Sequence, residues 1–142
     1  MINLLFFFSF PVQTPSINDN DLPLLLRLLS FELKNFARCD SRSISYILRC
    51  MPNLICFNFT LSILNREWPF PGELLDGLVW KEIFELYVPS LSKFEFHMSI
   101  VKKYPKLDLD IIVNSFEYFV GKYSNWQMVI NRWKLDLTKR GN

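Results

Sequence analysis

Two stretches of the chain repeat one pattern without a gap, and this repeat constrains the fold more than any other feature. Residues 52–62 and 89–99 both begin with proline and both fit L-x-x-L-x-L-x-x-N/C-x-L, if Phe replaces some Leu and Ser replaces Asn or Cys. The matching positions are Leu54, Phe57, Phe59, Ser62 and Leu64 in the first copy and Leu91, Phe94, Phe96, Ser99 and Val101 in the second. Because side chains alternate along a strand, the pattern predicts two strands whose four central phenylalanines are buried on one side of a sheet.

A third copy of the pattern is predicted after Pro23. Its positions are Leu26, Leu29, Phe31, Lys34 and Phe36, with one extra residue after the proline and with Lys34 departing from the pattern. In the N-terminal apolar run, Leu5, Phe8 and Phe10 are interpreted as the remnant of a fourth copy. We divide the chain into an irregular N-terminal segment, residues 1–22, and one repeat-containing domain, residues 23–142.

Helical patterns fall between the predicted strands. Ser41, Asp76 and Asp108 are predicted N-caps, because each precedes apolar residues at helical spacing, and Gly121 is expected to end the third helix. A last strand is predicted from alternating apolar positions, which are Val129, Trp133, Leu135 and Leu137. Short alternating strands and helices of this kind build an α/β fold with a mainly parallel sheet.

The N-terminal run and the cysteines bear on the compartment. A buried strand is favoured over a signal peptide for residues 1–14, because no basic residue precedes the apolar run and no small-x-small cleavage site follows it. The cysteines are Cys39, Cys50 and Cys56, an odd number at gaps that match no zinc pattern. Reduced thiols and a cytoplasmic or nuclear location are therefore expected, with secretion as the alternative.

The repeat region resembles the C-terminal leucine-rich-repeat region of divergent F-box/leucine-rich-repeat proteins. The resemblance is carried by a D-G-x-x-W helix at Asp76, Gly77 and Trp80, a P-x-L-x-x-F strand at Pro89, Leu91 and Phe94, the pair Ser115-Phe116, and the tryptophans Trp126 and Trp133. It spans residues 23–137 and implies a short leucine-rich-repeat-like solenoid with parallel strands backed by helices. It also implies a protein-interaction module, the substrate-binding arm of an F-box-type ubiquitin ligase receptor.

The chain departs from this family in its F-box. A strand pattern follows the dipeptide Leu22-Pro23 almost at once, where an F-box would continue as helix. No residue is therefore assigned to ligase recruitment, and the chain is interpreted as a partial member. We expect the 142-residue chain not to bind the adaptor that F-box proteins engage.

The resemblance places a partner-binding surface on the concave face of the stack. Residues that alternate with the buried strand positions point to that face. They are Ser30 and Glu32, then Cys56, Asn58 and Thr60, then Lys93, Glu95 and His97. Both charge signs with hydroxyl and amide groups suit a protein partner better than a phosphate backbone. The alternative is that these residues form the solvated side of a sheet and bind nothing.

Charge and motifs exclude several other functions. Lys and Arg number 16 and Asp and Glu 14, so the formal charge of +2 offers no attraction for nucleic acid or an acidic membrane. The single histidine, His97, excludes a histidine-based metal cluster, and no phosphate-binding glycine loop or nucleophile motif occurs. We expect a non-enzyme without metal, cofactor or small-molecule substrate, whose partner is a protein. A small non-catalytic subunit of an obligate intracellular complex, unrelated to ubiquitin, is the alternative.

Overall fold

A computed structural model describes residues 5–8, 22–35, 39–63, 72–100, 107–123 and 126 of the chain. Its strands are β1 (Leu5–Phe8), β2 (Ser30–Asn35), β3 (Cys56–Ile63) and β4 (Lys93–Ile100). Its helices are α1 (Ser41–Arg49), α2 (Gly77–Tyr87), α3 (Leu109–Ser115) and α4 (Glu117–Lys122), and a 3₁₀ turn (Gly72–Leu75) precedes α2. The predicted alternation of strands and helices is confirmed, and the chain has an α/β fold.

The four strands form one parallel sheet in the order β1-β2-β3-β4. Parallel neighbours need a crossover connection, and α1 and α2 lie in the connections that follow β2 and β3. β1 lies in the N-terminal apolar run for which a strand was favoured, although residues 1–22 as a whole were predicted to be irregular, and it pairs along its length with β2 from Glu32 to Asn35. The predicted last strand, from Val129 to Leu137, lies outside the described residues.

Aspartates cap three helices. Asp76 accepts a hydrogen bond from the Leu78 amide, and Asp108 accepts from the amides of Asp110 and Ile111, as predicted. The predicted cap at Ser41 is wrong, because Asp40 accepts the hydrogen bond from the Ser43 amide at 2.8 Å. Because Asp40 is the cap, the Ser41 side chain can make other contacts. The amide and the hydroxyl of Ser41 donate to the two carboxylate oxygens of Glu73, at 2.8 and 2.9 Å.

The third predicted helix is divided in two. Phe116 separates α3 from α4, and its ring is buried in the core. Gly121 lies inside α4 and does not end it, because the helix continues to Lys122 and Tyr123 is the C-terminal cap. A glycine ends a helix when the chain turns to a left-handed conformation, and no such turn is made at this position.

The core lies between one side of the sheet and the helices. Trp80 of α2 contacts the rings of Phe59 on β3 and Phe94 on β4, with centroids 5.2 and 5.1 Å apart. Its indole N–H donates to the Leu74 carbonyl at 2.8 Å, so this fully buried side chain keeps its polar atom paired. Apolar residues of α1, α3 and α4 join the same cluster, among them Ile44, Leu48, Ile112, Phe116 and Phe119.

Aromatic rings stack from strand to strand on this side of the sheet. Phe31, Phe57 and Phe94 follow one another at 5.8 and 5.9 Å, and Trp126 continues the stack at 5.9 Å from Phe94. Phe57, Phe59 and Phe94 are buried as predicted, whereas Phe96 is partly buried. Phe96 still stacks on Phe59, at 5.9 Å.

The predicted positions of the third repeat copy are wrong by two residues. Leu26 and Leu29, expected in the core, are 54% and 50% exposed, while Leu28 is 4% exposed. Ser30 pairs with Cys56, so the positions equivalent to Leu54, Phe57 and Phe59 are Leu28, Phe31 and Leu33. With Leu28 as its first position the third copy begins five residues after its proline, whereas the other two copies begin two residues after theirs. The misplacement arose from aligning the prolines, whereas the strands align on their buried side chains.

Candidate functional site

The predicted site residues lie together on one side of the sheet. Phe57 and Phe59 contact Trp80 of α2, so the residues that alternate with them on β3 point to the opposite side. Strand register then aligns the site residues in three rows across β2, β3 and β4. The rows are Ser30, Cys56 and Lys93; Glu32, Asn58 and Glu95; and Lys34, Thr60 and His97. We call these nine residues the polar face.

Eight of the nine residues of the polar face were predicted, and Lys34 was missed. The predicted repeat alignment makes Lys34 equivalent to Ser62, where it departs from the pattern. In the structure Lys34 pairs with Thr60 instead. The signal that would have found it is the alternation itself, because Lys34 follows Ser30 and Glu32 at a spacing of two. The paired serines Ser62 and Ser99 extend the same alternation on β3 and β4.

The charged groups of the polar face are paired along the strands. Lys34 contacts Glu32 at 3.0 Å on β2, and Lys93 contacts Glu95 at 2.8 Å on β4. The Lys93 ammonium donates a hydrogen bond to the Glu95 carboxylate, and this bond, together with the negative charge of Glu95, raises the pKa of Lys93 above the usual value. All four side chains stay well exposed, and exposed pairs of this kind contribute little to stability. Their charges remain accessible to a partner.

Asn58 lies at the centre of the polar face, between Glu32 and Glu95 in the register. Its Oδ1 atom is buried and receives no hydrogen bond from the described residues. Burying an unpaired polar atom is unfavourable by about 1–3 kcal/mol, and natural structures contain few such atoms. The centre of the polar face is therefore an unsatisfied acceptor.

An apolar rim adjoins the polar face where β2 and β3 begin. Leu29 and Ile55 immediately precede the row of Ser30 and Cys56, and the Ile55 amide donates to the Leu29 carbonyl at 2.8 Å. The rim consists of Leu24, Leu25, Leu26, Leu29 and Ile55, all 40% or more exposed. Sequence reasoning missed it because two of its members had been assigned to the core.

The described residues offer little for small-molecule or metal chemistry. A groove between α1 and α2, lined in part by Arg42, Glu82 and Tyr87, measures about 220 Å³, below the usual 300–1,000 Å³ of ligand sites. Within the same ranges, no group of three or more His, Cys, Asp or Glu side chains is placed to hold a metal ion. His97 is exposed on β4 and pairs in the register with Thr60.

The three cysteines are free thiols. Cys39 is buried, while Cys50 and Cys56 are partly exposed. Burial raises the pKa of the Cys50 thiol, whose Sγ donates to the Tyr46 carbonyl. A raised pKa disfavours the reactive thiolate, so Cys50 does not have the character of a nucleophile.

Membrane spanning and similarity to known proteins were also tested. Among the helices that the structure describes, none combines the length and the apolar character that crossing a bilayer requires. Comparisons of the chain with protein-family models, with curated proteins and with solved structures found no match.

Proposed function

We propose that the chain is a protein-interaction module that binds its partner through the polar face. The observation that carries this proposal is the alignment of eight polar side chains and the Cys56 thiol in three rows across adjacent strands, on the side of the sheet away from α2. Regular sheet geometry places the rows on a rigid support, with neighbouring strands about 4.8 Å apart. A backbone that is already ordered loses little freedom on binding, which favours a docking role.

The chemistry of the polar face supports a protein as the partner. The face presents two ammonium groups, two carboxylates, a histidine, an amide and hydroxyl groups, so neither sign of charge dominates. A nucleic-acid surface needs a positive excess, and this face has none. A protein surface of mixed charge can complement such a pattern and gain specificity from it.

We further propose that the units form a leucine-rich-repeat-like stack and that the chain acts as the substrate-binding arm of an F-box-type ubiquitin ligase receptor. Support for the stack comes from the three in-register units. Each contributes one strand and three equivalent positions of the hydrophobic cluster, all buried except Phe96, which is partly buried: Leu28, Phe31 and Leu33; Leu54, Phe57 and Phe59; Leu91, Phe94 and Phe96. Support for the ligase role comes from the stretch from Asp76 to Phe94, whose sequence resembles that of F-box/leucine-rich-repeat proteins.

The proposed docking role is tested by a triple substitution on β4, Lys93→Ala, Glu95→Ala and His97→Ala. Exposed substitutions usually change stability by less than about 0.5 kcal/mol each, so the variant should fold. Quantitative affinity purification with mass spectrometry should show that it loses proteins captured by the wild type. The matched control is Arg42→Ala, Glu85→Ala and Asn114→Ala, three exposed residues on α1, α2 and α3. Full capture by a folded β4 variant would contradict the proposal.

The apolar rim supports a second candidate, a subunit of an obligate complex. Five exposed large apolar side chains at one end of the sheet are typical of a surface that a permanent partner covers. Leu26→Ser with Leu29→Ser should then abolish complex formation, while the β4 variant leaves the complex intact. Light scattering after size-exclusion chromatography measures both outcomes.

A further inference from the structure

The middle row of the polar face differs from its two neighbours. Glu32 and Glu95 flank Asn58 on either side, and all three side chains present oxygen acceptors. The ammonium groups that neutralise the two carboxylates belong to the outer rows, to Lys34 and Lys93. The face therefore has an acceptor-rich centre between donors at two opposite corners.

Asn58 supplies an observation independent of charge. Its buried Oδ1 receives no hydrogen bond from the described residues, although a carboxamide oxygen can accept two. A donor that reached this atom would remove the unfavourable effect of leaving it unpaired. The side chains of Glu32 and Glu95, on either side, are 37% and 43% exposed, and their ion pairs with Lys34 and Lys93 are surface pairs that a competing cation can replace at little cost in stability.

The dimensions of the row select among possible donors. Two strand spacings separate Glu32 from Glu95, roughly 9.6 Å between backbones, with Asn58 midway. A guanidinium group carries five N–H donors in a planar fork and can bond an amide oxygen and a carboxylate at the same time. An ammonium group is a compact point charge, and a backbone amide offers one donor without charge. An arginine side chain fits the row better than either.

We propose that the docking partner presents an arginine side chain to the row formed by Glu32, Asn58 and Glu95, an inference that rests on the proposed function. The guanidinium donates to Asn58 Oδ1 and to one flanking carboxylate, and it replaces the ammonium group that neutralises that carboxylate. The displaced ammonium group, at a corner of the face, then becomes available to an acidic group of the same partner.

The experiment is an NMR titration of the full-length chain with N-acetyl-arginine amide. The side-chain amide signals of Asn58 should shift saturably at roughly millimolar probe, the affinity range of a ligand this small. N-acetyl-citrulline amide, which keeps the shape and removes the charge, should produce no saturable shift. N-acetyl-lysine amide should bind more weakly than the arginine probe. An unchanged Asn58 signal, or equal responses to arginine and citrulline or to arginine and lysine, would overturn the inference.

A pair of charge variants locates the interaction. Glu32→Gln with Glu95→Gln should weaken arginine binding about tenfold, because it removes both charged acceptors of the row. Glu82→Gln with Glu85→Gln makes the same charge change on exposed residues of α2 and should leave binding unaltered. Equal effects of the two pairs would show nonspecific attraction and contradict the assignment.

The outcome separates this inference from the function on which it rests. If the arginine probe fails while the β4 triple variant still loses its partners, the proposed docking role stands and the arginine inference falls. If the probe binds at Asn58 while that triple variant retains every partner, the partner does not use the row, and both proposals are contradicted.

Discussion

The two faces of the sheet use the same three strands in opposite ways. On one side, Phe31, Phe57 and Phe94 stack ring on ring and are buried under α2. On the other, each row carries polar groups, and the middle row contains an amide oxygen that has no hydrogen-bond partner among the described residues. The difference separates the free energy of folding from that of binding: apolar burial on one face stabilises the fold, while the polar face keeps groups that remain available to a partner after folding.

The largest loss of stability is expected when one ring of the aromatic stack is removed. Phe57→Ala should destabilise the chain by about 3–5 kcal/mol, because it removes a fully buried ring that contacts neighbours on both adjacent strands and α2. Phe96→Ala should be milder, since Phe96 is partly buried. Urea denaturation measures both values. Equal losses of unfolding free energy for the two substitutions would show that the extent of burial does not set how much each ring contributes to stability.

A larger side chain on the buried side of the sheet should also destabilise the fold. Gly77, the first residue of α2, lies so close to α3 that a Cβ atom would overlap the carbonyl group of Ser115, whose hydroxyl accepts a hydrogen bond from the Gly77 amide. Gly77→Ala should therefore cost about 1–3 kcal/mol in the free energy of unfolding. Gly121→Ala is the matched control, because a Cβ there meets nothing and alanine is the better helix former by about 1 kcal/mol. Thermal melts should thus shift in opposite directions.

A charge on the buried side of the sheet should destabilise the fold as well. Burial raises the pKa of the Tyr123 phenol to about 12, and its hydroxyl receives no hydrogen bond from the described residues. The folded chain thus holds the proton more tightly than the unfolded chain. The stability from neutral Tyr123 is complete below pH 10, the ordinary pKa, and is lost as the pH rises through 12. Melting temperatures between pH 9 and 12 should fall more steeply for the wild type than for Tyr123→Phe.

The smallest effect on folding is expected at the centre of the polar face. Asn58→Val removes the unpaired oxygen and places a good strand former on β3, so stability should stay within about 0.5 kcal/mol of the wild type or rise. The same variant should lose binding of the arginine probe. A large destabilisation by this substitution would mean that Asn58 serves the fold and not a partner.

The predicted facing of Ser30 and Glu32 holds although the repeat was misaligned, and the reason is the period of a strand. The third copy was placed two residues early, at Leu26 and Leu29 in place of Leu28 and Phe31. A shift of two residues leaves every strand side chain on the same face, so Ser30 and Glu32 remained on the polar side. The exposed leucines were assigned wrongly because they precede the strand, where alternation does not apply.

Local sequence alone determined where most strands and helices lie and which way the side chains of β2, β3 and β4 point. Alternation of period two and the aspartate caps at Asp76 and Asp108 depend on neighbours in the chain, so they can be read without a structure. Tertiary structure decided the contact of Ser41 with Glu73, the fit of Gly77 against Ser115 and the isolation of Asn58 Oδ1 among the described residues. Each depends on strand register or on contacts between residues far apart in sequence, which local patterns do not specify.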